Sequence, residues 1–111
     1  MNYRELPEFL KELKKLSKKY LSLIEDLDEL KKVINEMPLG TGRHFNVLIS
    51  TEKVKIVKGR LFCRYLKGSS LRIIYSYYEE LKTIEFLEIY FKGDKPNEDK
   101  ERIKDYLKSS S

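Results

Sequence analysis

The chain has 111 residues, 41% hydrophobic, 12% aromatic and 37% charged, with a formal net charge of +5 and a single cysteine, Cys63. That is the length of one domain holding one core. No apolar run approaches the ~18–20 residues of a membrane span, the mixed-charge start MNYRELPEFLKELKK is unlike a signal peptide, and one cysteine excludes an internal disulfide framework; together these favour a reducing cytoplasm and no membrane.

In chain order, Leu6, Phe9, Leu10, Leu13, Leu16 and Tyr20 recur at three- and four-residue spacing, the stripe of an amphipathic helix with Pro7 in its first turn. Ser22 followed by Glu25 has the spacing of a capping box and opens a second helix whose apolar face is Leu23, Leu27, Leu30, Ile34 and Met37. Pro38 and Gly40 close it. A link this short predicts an antiparallel helix hairpin. Residues 39–44 read as loop, and 45–50, 54–62, 71–78 and 83–91 as strands, with a turn at 79–82. GDKPN, 93–97, breaks the last strand. Residues 98–108 form a short final helix, acidic first and Lys108 last, and Ser109–Ser111 read as a disordered tail. The fold class is α+β: an N-terminal helix hairpin packed on a three- to four-stranded antiparallel sheet, closed by a short helix, in a single domain spanning 1–111.

The charge is unevenly placed. Residues 1–52 carry nine Lys/Arg and nine Asp/Glu, residues 79–111 seven and nine, and residues 53–78 seven and none. The seven cations Lys53, Lys55, Lys58, Arg60, Arg64, Lys67 and Arg72 lie among strand-forming residues, with no acidic residue in the run. One sheet face packs on the hairpin, so they must point mostly to the other face or its rim. Such a single-sign surface gathers polyanions; the plainer reading is a solvated basic face. One Cys and one His do not make a metal site, and GTG at 40–42 leads into a strand, not the helix of a phosphate-cradling loop. His44 reads as a surface histidine and Cys63 as a buried small hydrophobe. No cofactor is implied. What remains is Lys, Arg and eight Tyr, which suits nucleic acid: cations for phosphates and rings for unpaired bases. Along 75–78, at least one tyrosine of each pair belongs to the core. Five phosphate contacts predict a loss of about a hundredfold in single-strand affinity between 50 and 200 mM salt.

FLKELKKLSKKYLSLIEDLDEL, VKIVKGRL, LRIIYSYY and LEIYFKGDKPNEDKERI, in that order, resemble the helix hairpin, the basic strand, the Arg- and Tyr-bearing strand and the closing strand and helix of the RelE/ParE superfamily of toxins from type II toxin–antitoxin systems. The resemblance covers almost the whole chain. Its RelE branch implies ribosome-dependent cleavage of mRNA, in which a 2′-hydroxyl attacks its own 3′ phosphate while cations orient that phosphate and stabilise its charge. By position, it implies Lys58 and Arg60 as base and phosphate clamp, Arg72 as transition-state cation, Lys92 or Lys95 as a further phosphate ligand, Arg64 and Lys67 as RNA or ribosome contacts, and Tyr75 as a substrate-binding aromatic. The implied partners are a cognate antitoxin, the ribosome and mRNA. Two departures stand out: PNEDKER has Asp99 where active members carry an aromatic or basic residue, and the basic residue after the last strand is displaced around Gly93. They keep open a non-cleaving relative, either a gyrase inhibitor of the ParE branch or an inactive nucleic-acid- or ribosome-binding module.

Overall fold

A computed structural model describes residues 1–40, 42–66 and 71–110. Among them the chain runs β1 (Asn2–Glu5), α1 (Pro7–Lys19), α2 (Leu23–Glu36), a 3-10 turn (Gly42–His44), β2 (Phe45–Ser50), β3 (Lys55–Leu61), β4 (Leu71–Tyr78), β5 (Thr83–Phe91) and α3 (Lys100–Ser110). The strands form one sheet in the order β1-β5-β4-β3-β2. β1 runs parallel to β5, and the other neighbours are antiparallel. This is the α+β class, with the hairpin on one face of the sheet and α3 on the other.

The helix hairpin follows from its apolar stripes. Phe9 and Leu13 of α1 and Leu23, Leu27, Leu30 and Ile34 of α2 are buried with Val57, Leu61, Ile73, Tyr75, Ile84, Phe86 and Ile89 on the first face of the sheet. Phe86 sits at its centre, stacked on Phe9 and Tyr3 and edge-on to Tyr75. Truncating the fully buried Phe9 to Ala should cost about 3–5 kcal/mol.

The second face is smaller. Val54, Ile56, Ile74, Leu87 and Tyr90 pack against Ile103 and Tyr106 of α3. Asp99 begins that helix by accepting the Arg102 amide at 3.0 Å. Arg102 then clasps the domain, bonding both Glu12 carboxylate oxygens of α1 at 2.9 and 2.8 Å and the Leu87 carbonyl of β5 at 3.0 Å.

Four details differ from the sequence reading. The sheet has a fifth strand, β1, that alternation could not reveal, since only Tyr3 of its four residues is even half-buried. The Ser22 hydroxyl makes no cap; it donates to Asp26 Oδ2 at 2.6 Å. The final helix begins at Lys100 and continues through Ser110, so Ser109 and Ser110 are no loose tail, and Ser111 lies outside the described residues. The second face is also not left wholly open, because α3 covers one end of it.

Candidate functional site

Strand alternation sorts the cations. Along β3, Val57, Gly59 and Leu61 turn to the helix hairpin, so Lys58 and Arg60 turn to the other face. The register pairs Arg60 with Arg72 of β4 and Arg72 with Tyr90 of β5. On the other side Asn46 of β2 pairs with Lys58 and Phe45 with Gly59, which puts His44 level with Arg60. His44, Arg60, Arg72 and Tyr90 therefore form a row across the sheet.

Two glycines fix one end of that row. A Cβ on Gly40 would lie 2.0 Å from the Phe45 ring, and one on Gly59 3.0 Å from it. Gly40 also has φ +71°, which favours glycine on its own account. The slot between them draws Phe45 toward the helix-side core, and His44 and Asn46 then face the cations. Arg43, His44, Phe45, Asn46, Lys58, Gly59, Arg60 and Arg72 line a cavity of about 170 Å³ with no carboxylate in its wall.

The electrostatics of the cavity are unfavourable when it holds no anion. Two guanidinium groups stand directly opposite each other, a destabilising cross-strand pair. Arg72 is only 6% exposed, and its guanidinium donates to the Leu71 carbonyl at 3.2 Å. Burial, then the Arg60 charge, lowers the Arg72 guanidinium below its ordinary value. Lys58 behaves differently. Burial is the largest influence and would lower it, but the 2.9 Å hydrogen bond to Glu98, the nearby Tyr90 oxygen and the Glu98 charge together outweigh that and hold the ammonium above its ordinary range. Burial pushes the Tyr90 phenol up, with Lys58 opposing. The buried side-chain polar atoms with no hydrogen-bond partner among the described residues are His44 Nδ1 and Tyr90 Oη, at the two ends of the row. A buried group left unpaired costs about 1–3 kcal/mol. Tyr90 Oη still lies close enough to the Lys58 ammonium to interact with it, so the clearest orphan is His44 Nδ1; beside a like-charged pair it marks a site shaped for something other than stability.

The remaining candidates lie elsewhere. Arg64 is on the helix side, where its guanidinium bonds Glu25 and Asp26 and its amide bonds Asp26 Oδ2 at 3.1 Å; it ties a loop to α2 and does not reach the cavity. Tyr75 is fully buried under the hairpin, its hydroxyl bonding the Pro38 carbonyl at 2.8 Å, so its ring cannot stack a base. Lys95 bonds the buried Glu88 carboxylate, whose other oxygen accepts the Asp99 amide at 2.9 Å. Lys92 is exposed just beyond β5 and does not line the cavity. Lys67 lies outside the described residues. The Tyr106 hydroxyl is engaged with Ser76, Tyr78 and Glu85 beneath α3. Arg43, His44, Asn46 and Tyr90 were not singled out from sequence; the signal for three of them was strand register, which puts residues 44 and 46 beside 58 and 60, and residue 90 beside 72.

The arrangement suits an anion with oxygens on several sides, a phosphodiester above all, gripped by planar guanidinium groups. Among the described residues no three His, Cys, Asp or Glu side chains gather as metal ligands, and no helix is long and apolar enough to cross a membrane.

No family model and no curated protein matches the sequence. The fold does match a solved structure: a chain from the crystal structure of the archaeal RelE–RelB complex of Pyrococcus horikoshii OT3 superposes with a TM-score of 0.64 at 19% identity, covering 83% of this chain and 94% of that one. The protein has the RelE-type fold.

Proposed function

We propose that the protein is the toxin of a toxin–antitoxin pair and a ribosome-dependent RNA endonuclease that grips the scissile phosphate between Arg60 and Arg72. The observation that carries this reading is the Arg60–Arg72 register pair at the wall of a cavity without carboxylates. An entering phosphodiester turns a repulsive pair into a clamp. The same two groups then stabilise the extra negative charge that builds on the phosphorus oxygens as the 2′-hydroxyl attacks. Lys58, an ammonium in its pair with Glu98, suits phosphate binding better than proton removal. Tyr90, kept a phenol by burial, can donate to a phosphate oxygen. The antitoxin reading draws on the RelE-type fold and on an apolar groove of about 400 Å³ between β2 and α3, lined by Leu48, Ile49, Ile103 and Leu107 and flanked by Lys100, Lys104 and Glu98, the last paired with Lys58. An acidic amphipathic segment would fit it.

The Lys58–Glu98 pair favours the second reading, a non-cleaving relative that binds RNA or another polyanion, since it takes one cation out of play. One experiment separates the two. Inducing the protein alone and mapping mRNA ends on translating ribosomes should give codon-phased cuts that vanish in Arg72→Ala. Growth arrest with broken DNA and intact mRNA would indicate the gyrase-directed branch, and absence of any effect would leave a binding module.

A further inference from the structure

The row of side chains at the cavity lacks an obvious proton acceptor, and one residue meets the need. Arg43, Arg60 and Arg72 do not give up protons near neutral pH. Lys58 is held as ammonium by Glu98. Tyr90 is kept a phenol by its burial. Among the described residues of the cavity wall His44 is the remaining titratable group, and imidazole is the side chain that exchanges protons near neutrality. It is also the one histidine of the chain.

Its surroundings determine which form it takes. Arg43 precedes it in the 3-10 turn, Lys58 and Arg60 face it from β3, and Arg72 from β4. No carboxylate stands in that wall among the described residues, and the Phe62 and imidazole rings pack at 85° with centroids 5.1 Å apart. Nδ1 is buried with no partner among the described residues. In many proton-transferring histidines a carboxylate supports the imidazolium; the described residues of this wall supply none. What would stabilise the imidazolium is an anion in the cavity, and the anion proposed for it is the phosphate that gains charge during attack.

We infer that His44 is the general base of the cleavage reaction, an inference that rests on the nuclease reading above. His44 takes the proton from the 2′-hydroxyl as that oxygen bonds to the adjacent phosphorus. The bond from phosphorus to the 5′-oxygen of the next nucleotide breaks, and that oxygen takes a proton from solvent. The products are a 2′,3′-cyclic phosphate and a 5′-hydroxyl. The imidazolium then returns its proton to water, so no oxidant or reductant is needed.

The test is single-turnover cleavage of mRNA on ribosomes paused at a defined codon, measured from pH 5 to 8.5 for the wild type, His44→Gln and His44→Asn, with circular dichroism to confirm folding. The wild-type rate should rise with pH through the histidine range. Both variants should lose about 10²- to 10⁴-fold at neutral pH and lose that rise, while their affinity for a single-stranded RNA oligonucleotide stays within a few-fold. Two folded variants keep the question open if one of them misfolds. As a readout besides activity, uridine 3′-phosphate should shift the lone imidazole NMR resonances of the wild type and should not shift them in Arg60→Gln. Wild-type cleavage with an unchanged rate and pH profile in both variants overturns the role of His44 and leaves the nuclease reading standing. A wild type that does not cut at all overturns the nuclease reading, and the base role with it.

Discussion

Beneath α3, the buried Glu88 carboxylate takes Lys95 on one oxygen and the Asp99 amide on the other, and Tyr106 is engaged by Ser76, Tyr78 and Glu85. Toward β2 on the same face, Arg60 stands opposite Arg72, and His44 Nδ1 and Tyr90 Oη have no partner among the described residues. Both ends are polar, and both draw on β4 and β5. At the α3 end each polar group arrived with its counter-group, as expected where burial must not cost stability. At the β2 end two like charges share a register pair, and the His44 imidazole beside them has a ring nitrogen with no partner among the described residues, an arrangement that an anion would suit. Polar content does not separate a structural region from a binding one; the state of its pairing does.

That contrast can be broken most forcefully with Arg72→Met. If the β2 end is built for an anion, the variant should lose about 10²- to 10³-fold in single-turnover cleavage, while its melting temperature holds or rises because a buried like charge has gone. A fall of several degrees with the loss of cleavage would make Arg72 structural and erase the distinction. Arg102→Ala probes the other end and should behave in the opposite way. It strands Glu12 in a pair whose side chains are only 19% and 24% exposed. The expected cost is about 2–3 kcal/mol, less than a fully buried pair because water reaches it. Urea titration would measure this, and the folded fraction should cut RNA at the wild-type rate.

Salt sharpens the comparison at smaller amplitude. With Lys58 engaged by Glu98, the three arginines of the cavity predict a slope near −2 for single-stranded RNA, about a twentyfold loss between 50 and 200 mM rather than the hundredfold of five contacts. Glu98→Gln should release Lys58 and steepen the slope by about 0.7. Burial is the largest influence and would raise the Glu98 carboxyl, but the Lys58 hydrogen bond, its own backbone amide and the Lys58 and Lys100 charges together hold it below its ordinary value. The ion pair therefore adds stability above the ordinary glutamate range, and that stability is lost as the pH falls through the depressed value. Once the pH has fallen below that depressed value, filter binding should give the wild type and Glu98→Gln the same slope; a persistent difference would mean that Glu98 does more than hold Lys58.

The sequence made local pattern legible and long-range pairing opaque. The strands Phe45–Ser50, Leu71–Tyr78 and Thr83–Phe91 were readable to the residue because their apolar character and flanking turns are local. β1 was not, since its partner lies some eighty positions onward and only Tyr3 reports burial. Arg64 looked like an RNA contact because its carboxylates, Glu25 and Asp26, sit in a helix far back in the chain. Tyr75 could be assigned to a face only once β3 and β4 were in register. Lys58, Arg60 and Arg72 could be named from charge and order. His44 could not, because its position depends on how Phe45 seats between Gly40 and Gly59, a contact spanning three segments.

The parallel strand at the sheet's edge also governs when the molecule can exist. Asn2–Glu5 hydrogen-bonds alongside Thr83–Phe86, so the earliest-made strand waits, unpaired, until most of the chain has been synthesised. Pairings this distant in sequence close slowly. A nascent chain should therefore stay unfinished, and the Arg60–Arg72–Tyr90 row incomplete, until β5 emerges; under the proposed function, that delays any cutting of the message being translated.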